Sequence, residues 1–169
     1  RHPLNYRFKK QGNLSPCNNL GKNIQFSAAL SFFKVDCIPE NLLFDEHLKP
    51  TFEDGKFVNS YLLSQSNDSF IYFNPNARYY NRKRADKSST MDGVWLHKGQ
   101  FSTVFERGYL DILPKCQAEK GYIPKYVQRT LLWEMLRLLK YLLNHEEKVY
   151  FLSIEEKQNL LELMDKTFK

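Results

Sequence analysis

The chain has 169 residues, 42% of them hydrophobic and 15% aromatic, enough to close one sizeable globular core and to exclude disorder as the overall state. No stretch reaches the eighteen or so unbroken apolar residues of a bilayer span; residues 130–143 come nearest and are interrupted by Glu134, Arg137 and Lys140. The net charge of +6, from 25 basic and 19 acidic residues, points to an anionic ligand or surface without choosing among phosphates, lipids and nucleic acid.

Cys17, Cys37 and Cys116 are odd in number, far apart and without the close spacing of zinc sites, so they read as reduced cytosolic thiols. The opening Arg1-His2-Pro3-Leu4-Asn5-Tyr6 has neither an initiator methionine nor an apolar signal, so the chain reads as a piece of something longer.

In chain order, residues 1–20 mix Asn, Pro, Gly and basic residues and read as loop with at most one short element. Residues 24–35 alternate and then run apolar, which predicts a buried strand flanked by a short helix or bulge. Two acidic pairs follow, Asp45-Glu46 and Glu53-Asp54, set on turns around Leu43, Phe44, Leu48 and Phe52. Phe57, Val58, Tyr61, Leu62 and Leu63 recur at helical spacing, so the second pair falls at the electropositive start of a helix. Residues 70–73 and 77–82 have the aromatic weighting of two short strands, joined as a hairpin through Asn74-Pro75-Asn76.

Beyond Met91 the pattern turns helical. Residues 94–106 and 109–120 both show helical spacing, with Pro114 expected to interrupt the second. Gly121 and Pro124 break the chain before a long helix over 125–144, whose apolar face is wider than one stripe and reads as buried on two sides. The alternative for that helix is a subunit, domain or membrane contact with Arg129, Arg137, Lys140 and Lys148 toward anionic lipid. Ser153-Ile-Glu-Glu156 matches a capping box and opens a last helix. The fold class is therefore α/β: a strand-and-helix part over 1–92 and an all-helical C-terminal region over 93–169.

Transfer of a group from a diphosphate to a hydroxyl needs a carboxylate to take the hydroxyl's proton and cations to stabilise the departing diphosphate. Glu53-Asp54 supplies the first, and the run from Arg78 to Lys87, with Tyr79, Tyr80, Ser88, Ser89 and Thr90, supplies the second. Each feature alone also fits an ordinary reading, a favourable helix start and a solvated basic patch. Of the four histidines only His97 is worth weighing as a metal or diphosphate contact.

The order Leu43-Phe44-Asp45-Glu46, Phe52-Glu53-Asp54-Gly55, Tyr79-Tyr80-Asn81-Arg82-Lys83-Arg84, Ser88-Ser89-Thr90 resembles the second, acceptor-side half of family-two GT-A glycosyltransferases of bacterial capsule, teichoic acid and lipopolysaccharide synthesis. The resemblance covers about residues 24–92, and 121–128 look like a segment that follows such domains. It implies a partial GT-A-like mixed sheet, with Asp54 as general base, Glu53 as its orienting neighbour, and Arg82, Arg84, Ser88, Ser89 and Tyr80 on the donor diphosphate.

It also implies a nucleotide-diphosphate sugar donor, a glycan or polyol-phosphate acceptor, no nucleic acid, and a cytoplasmic enzyme that can lie at the inner face of the membrane. The family's nucleotide-binding half and Asp-x-Asp motif are absent, since no two Asp residues stand two apart. The divalent metal, Mg or Mn, expected in the complete enzyme would have its ligands mostly outside this chain. The alternative functions are a non-catalytic module binding an anion or nucleic acid through residues 78–84, and a helical scaffold over 94–169.

Overall fold

A computed structural model describes residues 3–9, 13–21, 23–25, 27–80, 85 and 93–169. These hold both α and β structure, mostly helical, with four α-helices and one small sheet.

Helix α1, Glu53–Ser64, begins where the apolar spacing predicts, and it buries Phe57, Val58, Leu62 and Leu63. Its N-cap is unusual: Phe52 is left-handed, at φ 76° and ψ 0°, and caps with no side-chain hydrogen bond. That conformation is costly for a residue with a Cβ, so packing around the ring must hold it.

The sheet pairs β1, Asn13–Pro16, antiparallel with β2, Phe70–Phe73, placing Leu14 opposite Tyr72 and Pro16 opposite Phe70. This corrects the hairpin expectation. Of the strand expected over 77–82, residues 77–80 form none and 81–82 lie outside the described residues; the partner comes instead from the N-terminal stretch, read as loop with at most one short element. The buried strand expected over residues 24–35 is corrected too: its described residues form no strand, and short 3-10 turns stand at Ala28–Leu30 and Val35–Cys37. Phe32 is fully exposed there, whereas Phe33 sits edge-on to Phe57 and Tyr61.

The stretch after Gly93 is helical but not α-helical at first. Two 3-10 turns, Val94–Leu96 and Lys98–Phe101, lead into a π-helical segment, Val104–Tyr109, which runs directly into α2, Leu110–Lys120. Pro114 does not interrupt α2. An internal proline costs about 3 kcal/mol, and full burial of Ile112 and Cys116 on the inward side, with Pro114 facing solvent, offsets it. Gly121 ends α2 in the left-handed conformation at φ 73°, its N–H bonded to the Gln117 carbonyl.

Helix α3 spans Lys125–Leu142 and α4 spans Ile154–Phe168. The capping box is formed: the Glu156 N–H donates to Ser153 Oγ at 3.2 Å, and the Ser153 N–H donates to Glu156 Oε2 at 2.7 Å. One apolar core joins these elements, with Val58 and Leu62 from α1, Val104, Phe105 and Tyr109 from the π-helical segment, Val127 and Met135 from α3, and Leu160 and Leu163 from α4. Both sequence regions, 1–92 and 93–169, thus contribute to one interior. Among the described residues no helix is long and apolar enough to cross a membrane.

Candidate functional site

The entrance to α1 is fixed from several sides. The Phe52 ring is buried, edge-on to Tyr109 at 4.8 Å between centroids. One step earlier, Thr51 Oγ1 donates to the buried Gln100 Oε1 at 2.8 Å. Glu53 and Asp54 therefore leave a rigid platform as the first two residues of the helix, where four N–H groups lack intrahelical acceptors.

Both carboxylates are half-buried, and neither forms an ion pair among the described residues. Burial pushes the Glu53 carboxyl above its ordinary value; its own backbone N–H opposes the shift, and the adjacent Asp54 charge adds to it. Partly desolvated and without an ion-pair partner among the described residues, the Glu53 carboxylate retains its capacity to accept a proton.

The other acidic pair is engaged differently. Asp45 Oδ1 accepts from Arg107 Nη2 at 2.8 Å and Oδ2 from Lys56 Nζ at 2.9 Å, with the His47 N–H at 3.1 Å. Arg107 first, then Lys56, hold its carboxyl well below the usual carboxylate range against the opposing effect of burial. Lys56 also reaches Asp111 at 2.9 Å, and Lys115 bonds Asp111 at 2.7 Å. At Asp111 burial opposes ionisation, and the two lysines outweigh it to give a net lowering. These five charges tie the loop before α1 to α1 and α2, a structural clamp. Only the Asp111–Lys115 pair, four apart on one helix, was readable from spacing.

Of the predicted diphosphate contacts, Arg82, Arg84, Ser88 and Ser89 lie outside the described residues. Tyr80 is 88% exposed, and no hydrogen bond joins it to Glu53 or Asp54 among the described residues. Arg78 donates to the Pro75 and Ala77 carbonyls, both at 3.2 Å. His97 is a cap: its Nδ1 accepts the Gly99 N–H at 3.1 Å, closing the turn that lies against the Lys49 carbonyl. Among the described residues no group of three or more His, Cys, Asp or Glu side chains could hold a metal ion. The three cysteines are unpaired.

Further along α1, a groove of about 250 Å³ opens between α1 and α2, lined by Pro39, Asn41, Leu42, Ser60, Lys115 and Glu119 among others. Ser60 stands seven residues after Glu53, so the two share a helix face about 10 Å apart along the axis.

No protein-family model matches the chain, and no solved structure does. The chain is similar to the minor teichoic acid biosynthesis protein GgaA of Bacillus subtilis strain 168, at 25% identity over 134 residues. That match covers 79% of this chain and 29% of GgaA, so the chain spans less than a third of its relative's length. At 134 residues it is longer than either 1–92 or 93–169 and therefore takes in parts of both.

Proposed function

We propose that this chain is the acceptor-side part of an inverting glycosyltransferase of GT-A type that builds a bacterial surface polysaccharide at the cytoplasmic side of the membrane. The similarity to a teichoic acid biosynthesis protein along most of the chain carries this reading. The half-buried carboxylates at the start of α1, without an ion-pair partner among the described residues, support it from the side of chemistry.

In this reading Asp54 accepts the proton of an acceptor hydroxyl as its oxygen attacks the anomeric carbon, and the bond from that carbon to the diphosphate oxygen breaks. Glu53 orients the acceptor or the base. Arg82, Arg84, Ser88, Ser89 and Tyr80 take up the charge that develops on the leaving nucleoside diphosphate. The groove beside Ser60 is of a size for one sugar or polyol unit, below the roughly 300 Å³ of drug-sized sites. A divalent cation, Mg or Mn, in the complete enzyme would have its ligands mostly outside this chain.

The test is sugar transfer from a nucleotide-diphosphate donor to a glycan or polyol-phosphate acceptor by the complete polypeptide, wild type against Asp54→Asn. Loss of the base lowers kcat by about two to four orders of magnitude and leaves donor affinity in place. Unchanged turnover removes Asp54 from the mechanism; salt-dependent binding to single-stranded nucleic acid with no transfer would favour a binding module instead.

A further inference from the structure

Helix α3 has two unlike faces. Its inward face buries Val127, Thr130, Leu131, Met135 and Leu138, and also Glu134, the helix's sole acidic residue. Its outward face carries Leu132 and Leu136, followed by Leu143 just past the helix end, at 46%, 44% and 63% exposure. Spacings of four and seven residues keep these leucines on one stripe about 16 Å long. The apolar width of this helix predicts burial on both sides; among the described residues this side stays exposed.

The charges beside the stripe are of one sign. Lys125, Arg129 and Lys140 fall on or within about a quarter-turn of the leucine line, all three are exposed, and none has an ion-pair partner among the described residues. Leucines framed by cations, on a helix whose one acidic residue is buried on the opposite side, match a surface that is apolar below and anionic above. That is the order of layers in a bilayer containing anionic lipid, with phosphates over the acyl chains. A protein partner fits less well, because protein interfaces concentrate aromatics and Met and exclude Lys, and this face is a convex helix with lysine at both ends.

We propose that the outer face of α3 docks on an anionic lipid bilayer, the helix lying in the headgroup plane with Leu132, Leu136 and Leu143 inserted and Lys125, Arg129 and Lys140 on lipid phosphates. This rests on the α3 face alone and stands apart from the transfer chemistry.

Co-sedimentation of the 169-residue chain with vesicles tests it, using phosphatidylglycerol and phosphatidylcholine in equal parts against phosphatidylcholine alone. The chain binds the anionic vesicles, releases with added salt and leaves the neutral ones in suspension. Each cation near the surface is worth about fivefold in partitioning, so Arg129→Gln with Lys140→Gln weakens binding about thirtyfold. Leu132→Ser with Leu136→Ser and Leu143→Ser abolishes it. Both variants are checked by thermal melting, and the charge pair, wholly on the surface, keeps the test informative should the leucine variant melt early. No binding by the wild type, equal binding to neutral vesicles, or full binding by the charge variant overturns the proposal. So does self-association that the leucine substitutions remove without any vesicle binding, which would make the face a protein contact.

Discussion

The Phe52 ring occupies the space that a side chain on Gly108 would need: a Cβ there would stand 2.8 Å from Phe52 Cδ1. On its other side a Cβ on Gly55 would meet the same ring at 2.7 Å. Two glycines, one in α1 and one in the π-helical segment, thus clasp the residue that precedes the carboxylate pair. Alanine in a helix normally gains up to about 1 kcal/mol over glycine, whereas overpacking costs about 1–3 kcal/mol. The ring cannot swing away, being held by Tyr109 and by the left-handed backbone of Phe52.

Gly108→Ala is therefore expected to destabilise, lowering Tm by roughly 2–8 °C at about 2–4 °C per kcal/mol for a chain of this size. On the proposed function, sugar transfer by the complete polypeptide should fall as well, because Glu53 and Asp54 follow directly on Phe52 in the chain. A raised Tm in a thermal melt would show that the clasp is loose.

Glu53→Gln should separate stability from function. Because burial raises the folded-state pKa of Glu53, its contribution to stability is fully present below the ordinary glutamate value of about 4.3 and is lost as pH rises through the folded value. At neutral pH the ionised side chain is a liability that glutamine lacks. The variant should melt higher at pH 7, with the gain vanishing in acid, and on the proposed function it should slow sugar transfer by the complete polypeptide. Equal melting at every pH would mean that Glu53 is as well solvated folded as unfolded.

Legibility tracked how local each cause was. The start of α1, the whole of α3 and the Ser153 capping box follow from spacing and side chains within a few residues, and all are formed. The β1 strand, Asn13–Pro16, has no β-branched residue and is a strand only because Phe70–Phe73 lies beside it. Helical spacing at 104–109 cannot tell a π-helix from an α-helix, since both bring the same apolar residues inward. At the candidate site, the placement of Glu53 and Asp54 was readable, while the Asp45 clamp depends on Arg107, brought 62 residues along the chain by the packing of the core.

Asp45→Asn tests that clamp. Arg107 and Lys56 depress the folded-state pKa of Asp45, so its stabilisation is present above the ordinary aspartate value of about 3.9 and is lost as pH falls toward the lower folded value. At pH 7 the variant should lose about 1–2 kcal/mol, a figure held down by the half-exposed Arg107. Denaturant melts of the two proteins should converge as pH drops below 3.9 or so. Parallel curves at all pH values would show that the charge on Asp45 does not matter to the fold.

Arg137 is the remaining charged residue whose loss should be felt in the core. Its guanidinium donates to both carboxylate oxygens of Glu134, at 2.9 and 3.1 Å, and lies over the Trp95 ring, which stacks on Tyr141. Glu134 is 7% exposed, and burial drives its carboxyl up against the opposing pull of Arg137. Arg137→Ala strands that carboxylate, at about 2–3 kcal/mol, under the 3–5 kcal/mol of a fully buried pair because Arg137 is itself partly solvated. Without the arginine the folded-state pKa of Glu134 climbs further, so the deficit should shrink as pH falls and the stranded group takes up a proton. In a Glu134→Gln background the same substitution should cost roughly 1–2 kcal/mol less. If the two changes simply add, the arginine acts through its stacking on Trp95 and not through the carboxylate.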